Sequence, residues 1–241
     1  LDPITAHRIA PSLLAQAGVC WEGGAGGGSV ARAMARAIGP AGRVLATDID
    51  TGRLAPAANL EVRRHDVRTD PPPGDAFDLI HARLVLLYPP ERRRVLGTLA
   101  GVLAPGGWLA VEEFDRTAPL RVLIAPNDDA AKLFGQVTDA MVGILQCHGA
   151  DLAWAQDVHA ELAAAGLEEV DTVTHSRSWS GGSVGASLHA TNSRQMEAGA
   201  ARRGAVARQL DAFRKLLRDP AFAVMSYQFV STRGRRRPAG R

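Results

Sequence analysis

Five of the six residues from Gly23 to Gly28 are glycine, standing between an apolar run that ends at Glu22 and a helical pattern that opens at Ser29. Glycines let the backbone turn sharply and approach a ligand closely, and a helix N-terminus offers N–H groups that no helical carbonyl satisfies. Such a loop can cradle a dinucleotide pyrophosphate or an amino-acid carboxylate, so alone it is ambiguous. Two further acids bear on the choice. Asp48 ends the second apolar run, about 20 residues beyond the glycines, where a carboxylate accepts hydrogen bonds from ribose hydroxyls. Asp66 ends the third.

A nicotinamide dinucleotide accounts for Asp48 but asks for neither the acid before the glycines nor a third acid at Asp66. A ligand with a cationic amino group, a ribose diol and an adenine amine, but no phosphate, uses all three. S-adenosylmethionine has that composition. Taken with TDID, HDV, FDLIHARLVL and LAPGGWLAVEEFD, the WEGGAGGGS loop makes residues 15 to 117 resemble the class I S-adenosylmethionine-dependent methyltransferases. The resemblance implies that Glu22, Gly24 and Gly26 hold the methionine part and Asp48 the ribose, and that Ile49 packs on adenine. It also implies that Asp66 accepts from the adenine amine, that the Val67 backbone bonds adenine, and that His81 and Ala82 flank the methionine part. Gly23 departs from the family, which usually has an apolar residue there, so a looser floor to the first strand is expected. The segment 128 to 148, WSGGS and the GRRRP ending resemble small-molecule methyltransferases of bacterial secondary metabolism, which implies a natural-product acceptor of the antibiotic-biosynthesis kind.

Methyl transfer from a sulfonium asks the protein to position the nucleophile, exclude water and, for a hydroxyl, accept a proton. His81 is the first candidate base, because it titrates near neutral pH and stands near the carboxyl edge of the sheet, with a purely supporting role as the alternative. Glu112 and Glu113 come next; adjacent strand residues face opposite sides, so one of them can point at the pocket. Phe114, His148 and Trp179 are candidate substrate contacts. No metal is expected, since metal-using relatives place carboxylates where this chain has His81, Ala82 and Arg83, although Glu112, Glu113 and Asp115 could gather a hard cation.

These residues need a scaffold. The first two thirds alternate short apolar runs with amphipathic stretches, the pattern of repeated βα units. Strands are expected at about 18–23, at RVLATDID, near LEVRRHDV, at FDLIHARL and at WLAVEEF, with helices carrying Val30, Met34 and Ile38, and then Val95, Leu99 and Val102, on single faces. Asn127 caps a helix with Leu133, Phe134, Val137, Met141, Ile144 and Leu145 on one stripe, closed by Gly149. A second helix from about Leu152 ends at Gly166. Two more strands, VDTVTHSRSW and AVMSYQFVS, flank an excursion through Met196, Val206, Leu210, Phe213 and Leu217. The sum is one α/β domain over 1–241: a doubly wound seven-stranded sheet, mostly parallel with the last strand antiparallel. Residues 1–120 form the cofactor half, and insertions at 121–150 and 184–219 form a helical cap over the acceptor.

Composition sets the outer bounds. The 241 residues are 46% hydrophobic, enough for one sizeable core. No apolar run of about 18 residues spans a membrane, and the first ten residues lack the apolar region of a secretory signal. Cys20 and Cys147 stand far apart in apolar surroundings, which fits small core side chains in a reducing cytoplasm. The net charge of +3 is nearly all arginine, densest from Arg233 to Arg241. A small-molecule substrate is the expected partner, with a homodimer open and neither nucleic acid nor membrane. Two other functions compete: a relative that uses the same cradle to catalyse a cyclisation or rearrangement, and a nucleic-acid or protein-binding module built on the arginine tail. The second predicts a basic stripe with interleaved aromatics, and no aromatic follows Phe229.

Overall fold

The computed structural model describes residues 2–9, 14, 18–197 and 209–239. Five strands in βα rhythm come first: β1 (Val19–Gly23), β2 (Arg43–Asp48), β3 (Leu60–Arg64), β4 (Phe77–Arg83) and β5 (Leu103–Asp115). With β7 (Glu168–His175) and β10 (Gln228–Arg235) they form one sheet in the order β3-β2-β1-β4-β5-β10-β7. The pairs among β1 to β5 whose register is resolved are parallel, and β10 runs antiparallel to β7. Chain order reverses between β1 and β4. At such a switch the flanking connections leave on opposite faces and open a crevice at the carboxyl ends of the strands.

Helix α1 (Asp2–Arg8) precedes the sheet, and α2 (Ser29–Ile38) connects β1 to β2. Val30, Ala31, Met34 and Ala35 of α2 bury one stripe against Cys20, Val44, Ala46, Leu60, Leu79 and Ala110, one residue or more from each of the first five strands. Full burial of a side chain such as Met34 stabilises by roughly 1.5–3 kcal/mol, so the helix directly after the glycine loop is held by packing. Its cap is Gly28 at φ 72°, which no side chain supplements. Helices α3 (Arg92–Gly101) and α5 (Trp154–Ala164) complete the βα units. Cys20 is buried, and burial pushes its thiol up to about 12, which makes it inert packing. Cys147 is exposed.

Two compact units emerge. The first takes in Leu1–Phe114, Ala153–His175 and Phe229–Arg241, and the second Asp115–Leu152 and Ser176–Gln228. The second is wider than the insertions 121–150 and 184–219, because it contains strands as well as helices. Helix α4 (Asp128–Cys147) starts where expected: the Asn127 side chain accepts from the Ala130 N–H at 2.9 Å. Its Phe134, Val137, Met141 and Ile144 pack on Leu210, Phe213, Leu216 and Phe222, which lie on and around α7 (Leu210–Leu216). Val206 of the expected excursion lies outside the described residues. Helix α6 (Val184–Gln195) is capped by Ser183, whose Oγ accepts from Ala186.

A three-stranded antiparallel sheet in this unit, β6 (Val122–Ile124), β9 (Ala223–Met225) and β8 (Ser178–Ser180), corrects the sequence reading. VDTVTHSRSW is two strands, β7 and β8. AVMSYQFVS likewise divides into β9 and the start of β10. Both breaks fall where Arg177 and Ser226 clamp each other: Ser226 N–H donates to the Arg177 carbonyl at 2.8 Å, and Arg177 N–H to Ser226 Oγ at 3.0 Å. Each chain changes sheet at that clamp. Among the described residues no helix is long and apolar enough to cross a membrane.

Candidate functional site

The glycine loop leaves β1 through three residues of positive φ, Gly24 at 68°, Gly26 at 53° and Gly28 at 72°. A Cβ on Gly24 would stand 2.3 Å from Val85 Cγ2, so neither the angle nor the space admits a side chain. Gly26 is different: nothing lies within 4 Å of where its Cβ would be, and its backbone faces open space. The Gly26 N–H donates to Asp48 Oδ2 at 2.8 Å, and Asp50 N–H to Asp48 Oδ1 at 2.9 Å. Asp48 therefore ties the loop to the end of β2, a duty its spacing alone did not disclose. Ile49 follows it with 59% of its surface exposed, an apolar platform beside a carboxylate. The feared gap at Gly23 is lined by Trp21, whose ring lies 3.9 Å from the missing Cβ and whose Nε1–H donates to Thr47 at 2.8 Å.

Asp66 ends β3's extension as expected, and its carboxylate is engaged by Arg68 at 2.7 Å. The hydrogen bond from Arg68 holds its carboxyl down at about 2. An adenine amine would share that carboxylate with an exposed guanidinium. Val67 is half-buried beside it, and Ala82 is buried opposite Gly23 in the β1–β4 register.

His81 pairs with Glu22 in the same register and is fully buried. Its Nδ1 lies 2.7 Å from Glu22 Oε2 and its Nε2 3.1 Å from Glu112 Oε2. Burial alone would lower its pKa, but the charge of Glu22 and the hydrogen bonds to both carboxylates outweigh it and push it up to about 10. At neutral pH both nitrogens are donors, with no lone pair left for a substrate proton. A general base at His81 does not fit this geometry; the imidazolium instead fixes one oxygen of Glu22. Glu112 is bonded further by the Thr5 hydroxyl and by Ser231 Oγ at 2.8 Å, and Arg8 reaches Ser231 at 3.3 Å. The bonds from His81, Thr5 and Ser231 overcome burial and keep the Glu112 carboxyl below its ordinary range. The network thus joins α1, β1, β4, β5 and β10.

Glu113 turns the other way. Its Oε1 accepts from the backbone N–H groups of Val85, Leu86 and Leu87 at 3.2, 2.8 and 3.3 Å. Leu84, at φ 58°, precedes them and donates to the Glu112 carbonyl at 2.8 Å. Two consecutive glutamates on β5 therefore hold opposite things: one the buried cation, the other the strained turn after β4. Asp115 bonds Thr117. The cation site imagined for these three acids dissolves, and among the described residues no group of three His, Cys, Asp or Glu could hold a metal.

The candidate substrate contacts fall in both units. Phe114 packs edge-on against Phe229 at 5.5 Å in the first unit. His148 is exposed at the end of α4, its Nδ1 2.7 Å from the Ile144 carbonyl, which makes it a helix cap. Trp179 is half-buried in the second unit, 5.3 Å from the His189 ring and 5.9 Å from Tyr227. Sequence reading missed His189, Tyr227 and Arg116, because nothing in their spacing marks them. The arginine tail is also spoken for: Arg233 and Arg235 lie over Trp108, Arg236 donates to the Gly101 and Leu103 carbonyls, and Arg237 pairs with Glu168. Those side chains are the end of a strand and its staples.

The family model described as a methyltransferase domain matches residues 21–109. A methyltransferase of Strobilurus tenacellus, str3, is 34% identical over 111 residues, covering 45% of this chain and 40% of its own. The ubiquinone/menaquinone biosynthesis C-methyltransferase UbiE of Bordetella parapertussis is 36% identical over 106 residues, 39% of each chain. The chain thus spans about two fifths of the length of these relatives. Among solved structures, the YcgJ protein of Bacillus subtilis aligns with a TM-score of 0.54 at 14% identity, covering 92% of both chains. The [4+2]-cyclase SpnF aligns at 0.56 and 19% identity, over 99% of this chain and 81% of that one. These two share the fold. The stretch from Trp21 to Leu109 thus matches the methyltransferase domain family, and the strand order and glycine loop agree with the class I S-adenosylmethionine-dependent form of that domain.

Proposed function

We propose that the chain binds S-adenosylmethionine at the carboxyl ends of β1, β2 and β3 and transfers its methyl group to a small natural product, with a hydroxyl oxygen as the first expected acceptor. One observation carries the reading: Glu22 and Asp48 flank a glycine loop that Asp48 itself anchors through Gly26, with exposed Ile49 just beyond. Glu22 keeps Oε2 on His81 and makes no hydrogen bond through Oε1 among the described residues, which suits an ammonium. Asp48 has lone pairs left for a ribose diol, Ile49 offers a face to adenine, and Asp66 and Val67 offer polar partners to its edge. When bound, S-adenosylmethionine would supply the activated methyl group. The protein's own share is to hold the ammonium and ribose and to keep the turn after β4 in place through Glu113. The Strobilurus methyltransferases support methyl transfer, and UbiE, a C-methyltransferase of ubiquinone/menaquinone biosynthesis, makes carbon the competing acceptor.

Calorimetry with S-adenosylhomocysteine is the first test. Asp48→Ala should weaken binding by about ten- to a hundredfold, since charge-assisted hydrogen bonds are worth on the order of 1.5–3 kcal/mol. Asp48→Asn, which retains an acceptor for Gly26, should lose less. Unchanged affinity in the alanine variant, or comparable binding of NAD, would remove the assignment. With an acceptor in hand, formation of S-adenosylhomocysteine in step with product separates methyl transfer from a cyclisation that leaves the cofactor intact.

A further inference from the structure

The second unit holds a cluster centred on one ring. Arg116, two residues beyond the end of the first unit's β5 segment, places its guanidinium carbon 5.4 Å over the Tyr227 ring centroid. His189 of α6, fully buried, lies 4.9 Å from the same centroid, and its Nδ1 is 3.0 Å from the Tyr227 hydroxyl. Phe134 and Trp179 stand edge-to-face to the imidazole at 5.4 and 5.3 Å. The neighbours of this imidazole are therefore aromatic, with polar atoms at its edge.

Proton counting fixes what is missing. The Asn192 side chain donates to the Tyr227 phenol oxygen. The phenol proton then goes to His189 Nδ1, and the imidazole carries its own proton on Nε2. Burial and the nearby Arg116 charge push His189 down to about 3, so it is neutral and that tautomer persists at working pH. His189 Nε2 has no hydrogen-bond partner among the described residues, and neither does Arg116 Nε. Arg116 Nη1 donates to the Ala118 carbonyl at 3.5 Å, Asp139 acts on Arg116 only at a distance, and no ion pair to Arg116 occurs among the described residues. Two buried donors against one ring, one of them cationic, thus lack acceptors. Each such orphan costs on the order of 1–3 kcal/mol, more for a charged group, and persists where something else supplies the acceptor.

We infer that Arg116, His189 and Tyr227 form a recognition site for an oxyanion on a flat, unsaturated acceptor, a carboxylate or a phenolate, with Trp179 and Phe134 bounding it. This rests on the methyltransferase reading and names its substrate class.

The test is binding of matched pairs to the full chain loaded with S-adenosylhomocysteine: 4-hydroxybenzoate against 4-hydroxybenzamide, and cinnamate against cinnamamide. At least one acid should bind tenfold or more tighter than its amide. Arg116→Met should abolish that preference while its melting temperature stays equal to wild type or rises, because it removes a half-buried cation whose Nε has no acceptor. Acids binding no better than amides, or not at all, would overturn the proposal, as would an Arg116→Met variant that keeps the preference. A melting temperature lowered by several degrees with the preference intact would make Arg116 a structural stack. S-adenosylhomocysteine affinity, measured in the same samples, keeps the two readings apart: its loss in wild type sinks the cofactor assignment, whereas its presence without acid preference sinks only this one.

Discussion

Replacing His81 by leucine is expected to cost about 3–5 kcal/mol, the usual loss when one partner of a buried ion pair is removed, and to lower the melting temperature by roughly 10 °C for a chain of this size. The variant leaves Glu22 and Glu112 facing each other across β4 with no cation between them. The same change should reduce S-adenosylhomocysteine affinity tenfold or more, because Glu22 loses the contact that fixes Oε2. Acidification should return part of the stability, since stranded carboxyls can neutralise by protonation, but not the affinity. A catalytic base would behave otherwise: near-native melting, near-native cofactor affinity and a lost rate. That pattern would restore the proton-accepting role.

The wild-type pH dependence follows from the same network. The His81 pKa is raised to about 10 from an ordinary 6.5. Its stabilisation is therefore complete below pH 6.5 and disappears as pH climbs through 10. The Glu112 carboxyl is held below its ordinary 4.5, so its contribution is complete above that value and falls away on acidification. Between these limits the buried charges support α1 as well, because Thr5 and Arg8 meet the network through Glu112 and Ser231. His81→Leu should remove the part of the alkaline decline that falls between pH 6.5 and 10, along with the stability.

How much of this was legible depended on whether the signal was local. The order of strands, the glycine loop and the acids at strand ends are fixed by alternation, by turn chemistry and by spacing, all of which a single sequence carries. The split of VDTVTHSRSW between two sheets is not of that kind. Its ten residues read as one strand, and only the long-range clamp between Arg177 and Ser226 tells the chain where to leave. His81 shows the same limit in chemistry. Its place at the end of β4 was readable, but its protonation depends on a carboxylate 59 positions earlier and another 31 later. The arginine tail offers itself as a binding module because composition cannot register the acids and carbonyls that receive Arg235, Arg236 and Arg237. The Arg116 cluster left no trace in spacing at all, since its members come from three separate segments.

Glu113 gives the second large effect, and its two variants should part company. The carboxyl is fully buried, and burial pushes it up to about 8 from an ordinary 4.5 against the pull of three backbone donors. The folded state therefore keeps the proton that the unfolded chain releases, so Glu113's contribution is complete below pH 4.5 and is lost as pH rises through 8. Glu113→Gln retains an oxygen for the Val85, Leu86 and Leu87 N–H groups and has no proton to lose. It should match wild type near pH 4.5 and exceed it at pH 8 by on the order of 4 kcal/mol, the shift from 4.5 to about 8 taken at about 1.4 kcal/mol per pKa unit. Glu113→Ala also loses the slope but strands those donors in the strained turn after Leu84, so it should fall below wild type by about 3 kcal/mol or more at pH 4.5, the gap closing as wild type loses stability toward pH 8. Thermal melts of the three proteins from pH 4.5 to 8.5 decide the matter. A glutamine variant with the wild-type slope would show that Glu113 is ionised throughout, and an alanine variant as stable as wild type at pH 4.5 would show that the turn holds itself. Either result would free Glu113 from the backbone and return it to the list of groups able to take a proton from substrate.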